Sequence, residues 1–382
     1  MSPFVVVVVV TTNALDRIDT RIPCSRPSDR EVTYRTMLPA DLPRFSKTQR
    51  CSPRPVFASL WHRPPVTERA VQHSRMSSVS THATLGRTGL TVNRLGFGAM
   101  ELRPRPDRPE LDDQAIERLL NQVLDRGINF IDTSPDYGPS EDHIGRSISH
   151  RRDEYFLASK CGCVVDPESP GRFEHRYDRA TIRDGVERSL RRLRTDHLDL
   201  VQFHISPAVS VLAENDSIAE LRALQDEGKV RFIGMSGTLP NIIEQLDLGE
   251  FDAFQIPYSA VEHEHDEIIT RAASEGAGTI IRGGVAKGLS EPPPPSKAQP
   301  PGWREAFVLR KERFSEASLD DLLDGDTPAQ FLLRFTLAHR DIHTVIVGTS
   351  NAQHLDANLD AAARGPLPDD VYARAKERFG HP

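Results

Sequence analysis

Short β-rich runs alternating with helical periods from about residue 83 to the end of the chain predict a closed (β/α)8 barrel. Three observations carry this. Eight such units can be counted, their strands ending near Phe97, Asp132, Lys160, His204, Ser236, Ile256, Arg282 and Val347. About 300 residues are available for them, against ~250 in a typical barrel with room for insertions. Polar, chemistry-bearing residues recur at the ends of the strands, where barrels of this kind build their sites.

The elements follow in order. Thr84 to Val92, with Gly86 and Gly89, reads as a short β-hairpin able to plug the N-terminal mouth of the barrel. The first helix puts Ile116, Leu119, Leu120, Val123 and Leu124 on one face and stops at Gly127. The helix after the third strand is expected to begin at Thr181 as N-cap, with Asp184 three residues on and Ile182, Val186, Leu190 and Leu193 along its buried side. The next repeats the pattern with Ile218, Leu221 and Leu224 before Gly228. Between the seventh strand and its helix, residues 283–326 read as a long irregular connection containing Pro292-Pro293-Pro294-Pro295 and Pro300-Pro301. Such a loop would emerge on the active face, as a lid or substrate-selecting wall or as a disordered insertion.

Residues 1–82 look like different material. They hold 12 Lys/Arg against 6 Asp/Glu and nine prolines, so the net charge of −7 divides into +6 here and −13 over the rest. The expectation is a disordered or spurious N-terminal extension at 1–82 and one catalytic domain at 83–382. A transit peptide and a translation start at Met76 are the alternatives. The acidic body argues against nucleic acid as a partner. The longest apolar stretch, Phe4 to Val10, is too short for a membrane span, so a cytoplasmic location is expected. Four cysteines with no C-x-x-C spacing give no metal-ligand signature, and Cys161-Gly-Cys163 reads as a pair of buried small residues.

Four residues at strand ends or just beyond carry chemistry: Asp132, Tyr137, Lys160 and His204. Singly each has a structural explanation. Jointly they make sense as a site: an ammonium on an apolar strand needs a carboxylate, and Asp132 can answer Lys160. A cation beside Tyr137 would favour its phenolate and make it a usable proton donor near neutral pH, with His204 holding a carbonyl oxygen.

These segments resemble the aldo-keto reductase superfamily from about residue 84 to 365. The resemblance rests on Leu85-Gly86-Arg87-Thr88-Gly89-Leu90, on Leu95-Gly96-Phe97-Gly98, on Gly127 to Thr133 continuing through Tyr137-Gly138-Pro139-Ser140-Glu141 to Gly145, and on Ser189-Leu190-Arg191-Arg192-Leu193 leading to Asp196, Leu198-Asp199-Leu200 and His204. It implies an oxidoreductase that transfers hydride from NADP(H), with NAD(H) as the alternative, to a small-molecule aldehyde or ketone. Tyr137 would be the acid/base, Lys160 and Asp132 would tune it, and His204 would orient the substrate. It further implies that Ser236 and Gln255 bind the carboxamide and that Arg282 lies near the ring and pyrophosphate. Gly348, Thr349, Ser350, Gln353 and His354 would receive the phosphates at the start of the last barrel helix, and Asn358 the adenine. Two departures stand out. Gly237 occupies a position where many relatives carry Asn, and no Lys or Arg follows the eighth strand to grip a 2′-phosphate, leaving His354 as the one side chain there able to become cationic. The competing readings are a non-catalytic cofactor-binding barrel serving as a redox-sensing or accessory subunit, and a Schiff-base aldolase using Lys160.

Overall fold

The computed structural model describes residues 81–104, 111–165, 174–289 and 303–380. The extension expected at 1–82 therefore lies outside the described residues but for its last two, as do the proline runs at 292–295 and 300–301.

An antiparallel pair, β1 (His82–Thr84) and β2 (Thr91–Asn93), forms the expected hairpin. The chain then enters a closed parallel barrel through β3 (Leu95–Gly98), followed by α1 (Asp113–Asp125), β4 (Phe130–Asp132), α2 (Ser140–Ile148) and β5 (Phe156–Cys161). A small two-stranded excursion, β6 (Cys163–Val164) with β7 (Glu174–His175), leads into α3 (Arg179–Leu193) and β8 (Leu198–Phe203). After α4 (Val209–Glu214) and α5 (Ser217–Asp226) come β9 (Val230–Ser236), α6 (Ile242–Asp247), β10 (Ala253–Pro257), α7 (Asp266–Ser274) and β11 (Gly278–Arg282). Helices α8 (Trp303–Glu316) and α9 (Pro328–Ala338) precede β12 (Thr344–Val347), and α10 (Ala352–Ala363) and α11 (Asp369–Phe379) close the chain. The barrel order is β3-β4-β5-β8-β9-β10-β11-β12, with β12 returning to pair β3. Every expected strand end falls within one residue of the observed one.

Alternation along the strands sorts the interior into two layers. Phe130, Ala158, Leu200, Ala253 and Ile280 point inward near the strand starts and cluster with Leu85, Leu90 and Val92 of the hairpin, so the hairpin seals the lower mouth. Side chains two residues further along a strand share its face. Those positions are Asp132, Lys160, Gln202, Gln255 and Arg282, so a polar layer sits directly above the apolar plug. Aliphatic and aromatic side chains on the other strand face pack against the helices; α1 buries Ile116, Leu119, Leu120, Val123 and Leu124, as its periodicity requires.

Two expectations need correction. The N-cap of α3 is Asp178 rather than Thr181: its carboxylate accepts from the Thr181 backbone N–H at 3.0 Å and from the Thr181 hydroxyl at 2.7 Å. Thr181 lies one turn inside because Asp178 offers two acceptors to a helix end that needs them. The stretch 283–326 is not irregular throughout, since it contains the 14-residue α8. Arg310 of α8 pairs with Glu262 at 2.6 Å and Arg313 donates to the Val261 carbonyl, docking the helix on the loop that follows β10. Among the described residues, no helix is long and apolar enough to cross a membrane.

Candidate active site

The polar layer is centred on Asp132. Its Oδ1 accepts from Lys160 Nζ at 2.5 Å, from Gln255 Nε2 at 2.8 Å and from Gln202 Nε2 at 3.1 Å, while Lys160 also donates to the Thr133 carbonyl at 3.1 Å. Lys160 and Asp132 are each 1% exposed. Three strands thus aim donors at one carboxylate oxygen, an arrangement that offsets the cost of burying it. Gln202 was not singled out in the sequence, although its place two residues before His204 on the same strand face was a signal for it.

Tyr137 follows β4 in a tight turn, its N–H donating to the Ser134 carbonyl at 3.0 Å. Lys160 Nζ stands 5.9 Å from the centre of the phenol ring, and the His204 ring meets Tyr137 edge-on at 6.3 Å between centroids. The four residues picked from sequence are therefore brought to one place at the upper mouth of the barrel. The expected lowering of the phenol pKa is not found in this state. Burial, then the Asp132 carboxylate, push Tyr137 well above its ordinary value, and Arg282 only partly opposes them. The physical reason is the burial of the phenol beside the Asp132 carboxylate, both of which disfavour a phenolate.

His204 sits just past the end of β8. Its Nδ1 lies 3.2 Å from Asp136 Oδ2, 3.2 Å from Cys163 Sγ and 3.3 Å from His175 Nε2, and His175 Nε2 is itself 3.0 Å from Asp136 Oδ2. Burial holds the imidazole below its usual pKa, against the pull of Asp136. Burial would raise the Asp136 carboxyl, but the hydrogen bonds from His175 and His204 outweigh it and hold it well below the carboxylate range. Cys161 and Cys163 are both buried, as expected of small residues, yet only Cys161 belongs to the apolar core; Cys163 faces this polar group. None of Asp136, Cys163 or His175 was picked from the sequence, because they come from a loop and two short strands with no motif spacing.

The remaining sequence candidates lie on β9, β10 and β11, in the loop after β12 and on α10. Ser236 Oγ donates to Gln255 Oε1 at 3.3 Å across neighbouring strands β9 and β10. Arg282 ends β11, where burial lowers its pKa while Tyr137 and Asp132 act the other way. Gly348 is pressed against β3: a Cβ there would stand 2.7 Å from the Gly98 carbonyl oxygen and 3.0 Å from Glu101 Cγ. Thr349 accepts from the Asn351 N–H at 3.0 Å, and Asn351 caps α10 by accepting from the Gln353 N–H at 2.8 Å. Ser350 precedes that cap; Gln353 and His354 are exposed in the first turn, and Asn358 is half-buried one turn further on. At Gly237 a Cβ would come within 2.9 Å of Gln245 Oε1 and of the Ile242 side chain, so a larger residue there requires those side chains to shift.

A family model for the aldo/keto reductase family matches residues 94–378, three quarters of the chain and every strand of the barrel. The chain belongs to the aldo/keto reductase family. Its relatives include the uncharacterized oxidoreductase YqkF of Bacillus subtilis, 27% identical over 298 residues that span 76% of this chain and 94% of that protein. The L-galactose dehydrogenase of Arabidopsis thaliana is 29% identical over 292 residues, 72% of this chain and 86% of the relative. Among solved structures, the holo form of an aldo-keto reductase from Bacillus halodurans superposes with a TM-score of 0.66 at 27% identity, covering 78% of this chain and 96% of that one.

Members of this family normally use nicotinamide cofactors. The residues present fit such a group. Ser236 and Gln255 retain acceptor lone pairs for a carboxamide NH2 after bonding each other. The close-packed backbone at Gly348, running into the capped N-terminus of α10, is a cradle that any side chain would fill.

Proposed function

We propose that this protein is an NAD(P)H-dependent reductase of aldehydes and ketones, with Tyr137 as the proton donor. The observation that carries the reading is the convergence of Tyr137, the buried Lys160–Asp132 pair and His204 at one barrel mouth. When bound, the cofactor supplies the hydride, which no side chain can. Ser236 and Gln255 would hold its carboxamide, Gly348, Thr349 and the first turn of α10 its phosphates, and Asn358 its adenine; Arg282 would lie between ring and pyrophosphate.

The chain's own residues account for the rest. A carbonyl oxygen admitted beside Tyr137 and His204 gains negative charge as hydride arrives. Among the described residues the polar contacts of the His204 ring are at Nδ1, which faces Asp136 and Cys163, so Nε2 would donate to that oxygen when it carries the proton. Tyr137 delivers the proton. Burial and the Asp132 carboxylate hold the phenol in its neutral, proton-bearing form, the form that donation requires, while Arg282 partly opposes them. Lys160 is a poor Schiff-base nucleophile here, because Asp132 and the Thr133 carbonyl both occupy its ammonium.

The test is loss of nicotinamide absorbance by purified protein across aldehydes, ketones and quinones, with NADPH and NADH in turn. Sugars are included in the oxidative direction, since one relative is an L-galactose dehydrogenase. Multiple turnovers on some carbonyl support the reading. Tight cofactor binding without substrate-dependent turnover would favour an accessory, cofactor-sensing barrel instead.

A further inference from the structure

Sharing His204 with the tetrad is a second constellation whose other three members carbonyl reduction does not require. Asp136, Cys163, His175 and His204 each bring one ligand-type atom to a common point, all within 4.8 Å of one another. They arrive from three directions: Asp136 from the loop after β4, Cys163 and His175 from opposite strands of the β6–β7 ribbon, and His204 from the end of β8. The ribbon register sets Cys163 directly opposite His175. It thereby holds a thiol and an imidazole side by side over the barrel rim.

We propose that these four side chains bind one zinc-class divalent ion, through Asp136 Oδ2, Cys163 Sγ, His175 Nε2 and His204 Nδ1. Donor type and number match a closed tetrahedral site of two imidazoles, one thiolate and one carboxylate. Spacing matches as well. Ligand bonds of about 2.0–2.3 Å place tetrahedral neighbours roughly 3.3–3.7 Å apart; four of the six separations are 3.0 Å for His175–Asp136, 3.2 Å for His204–Asp136 and Cys163–His204, and 3.3 Å for His175–His204, and the other two, Cys163–Asp136 and Cys163–His175, lie within 4.8 Å. Small shifts of these side chains would bring the separations to those values and admit the ion. Hydrogen bonding alone is a poor use of this cluster, since His204 Nδ1 has three neighbours competing for one position. Binding is a simple exchange: the ion enters, the Cys163 thiol proton leaves to solvent, and the imidazoles coordinate in their neutral forms.

Coordination through Nδ1 fixes the His204 proton on Nε2, the nitrogen left to meet a substrate oxygen. The ion would then be a positioning element for His204. This consequence rests on the carbonyl-reductase reading, whereas the binding itself does not.

The experiment uses the full-length chain, stripped with a chelator and titrated with Co2+ as spectroscopic probe and then with Zn2+. One equivalent is expected to bind, giving the visible bands of tetrahedral Co2+ and a near-ultraviolet thiolate-to-cobalt charge-transfer band, both displaced by Zn2+. The charge-transfer band should vanish in Cys163→Ser, and Zn2+ affinity should fall at least tenfold in His175→Gln. Tyr137→Phe should bind metal as the wild type does. Melting temperature without metal establishes that each variant is folded. Absence of stoichiometric binding, or binding that Cys163→Ser and His175→Gln both leave unchanged, overturns the site. In a chain that does bind, removal of the ion should lower kcat for carbonyl reduction several-fold at unchanged cofactor affinity; an unchanged kcat overturns the positioning of His204 while the titration still decides the site.

Discussion

Lys160 Nζ lies 2.5 Å from Asp132 Oδ1 with both side chains sealed from solvent. Removing one partner strands the other as an uncompensated buried charge, at a cost of about 3–5 kcal/mol. Lys160→Met is therefore expected to lower stability by that order as well as to abolish turnover. Adding Asp132→Asn should recover much of the stability but none of the activity. Urea unfolding and single-turnover assays on both variants separate the two roles, and full recovery of turnover in the double variant would show that Lys160 is structural only.

The cofactor cradle makes its own prediction. Gly348→Ala would drive a Cβ to 2.7 Å from the Gly98 carbonyl, so the loop before α10 must shift away from where phosphate is expected. Cofactor Kd should rise by tenfold or more while kcat at saturation changes little. Fluorescence titration with NADPH and NADH measures both, together with their ratio. With only the exposed His354 available as a cation in the first turn of α10, and a helix terminus contributing about 0.3–1 kcal/mol, the preference for NADPH should be modest and should shrink in His354→Ala.

Acid stability is tied to a group far from the site. Burial would raise the Asp266 carboxyl, but bonds from His339 at 2.7 Å and Lys376 at 2.5 Å outweigh it and bring it down to about 2 from 3.8. A depressed folded-state value means this stabilisation is complete above the unfolded pKa and is lost as pH falls from about 4 to about 2, a change of about 2 kcal/mol. Unfolding free energies measured over that interval should flatten by this amount in Asp266→Asn.

Capping of α3 tests a point at which the sequence misled. Asp178→Ala should cost about 1 kcal/mol, and Thr181→Ala clearly less, because only Asp178 satisfies a free N–H at the helix end. Equal losses in denaturant unfolding would return the cap to Thr181.

That misreading shows where the sequence was legible and where it was not. Strand ends were readable because alternating apolar residues stop where polar ones begin, and Asp132, Lys160 and His204 mark those stops. The same alternation predicts the polar layer, including Gln202, which went unread because an amide carries no motif. Helix α3 offers two capping residues three apart, and only the backbone geometry chooses between them. The grouping of Asp136, Cys163 and His175 around His204 is a product of the β6–β7 ribbon, whose strands are two residues each and too short to leave a periodic trace. Sequence puts Tyr137 forward as a candidate but not its raised pKa, because that depends on how deeply the folded chain buries the phenol and on the Asp132 carboxylate beside it.

The central claim is that the Tyr137 hydroxyl delivers the proton. The most direct measurement is kcat for carbonyl reduction by Tyr137→Phe, alongside cofactor Kd, on a substrate turned over by the wild type. The variant loses one oxygen from a ring whose neighbours, Lys160 and His204, stay in place. Turnover should fall by about 10²–10⁴-fold while cofactor affinity is retained within about threefold. Wild-type turnover in the folded variant would contradict the assignment and move the proton donor to another group.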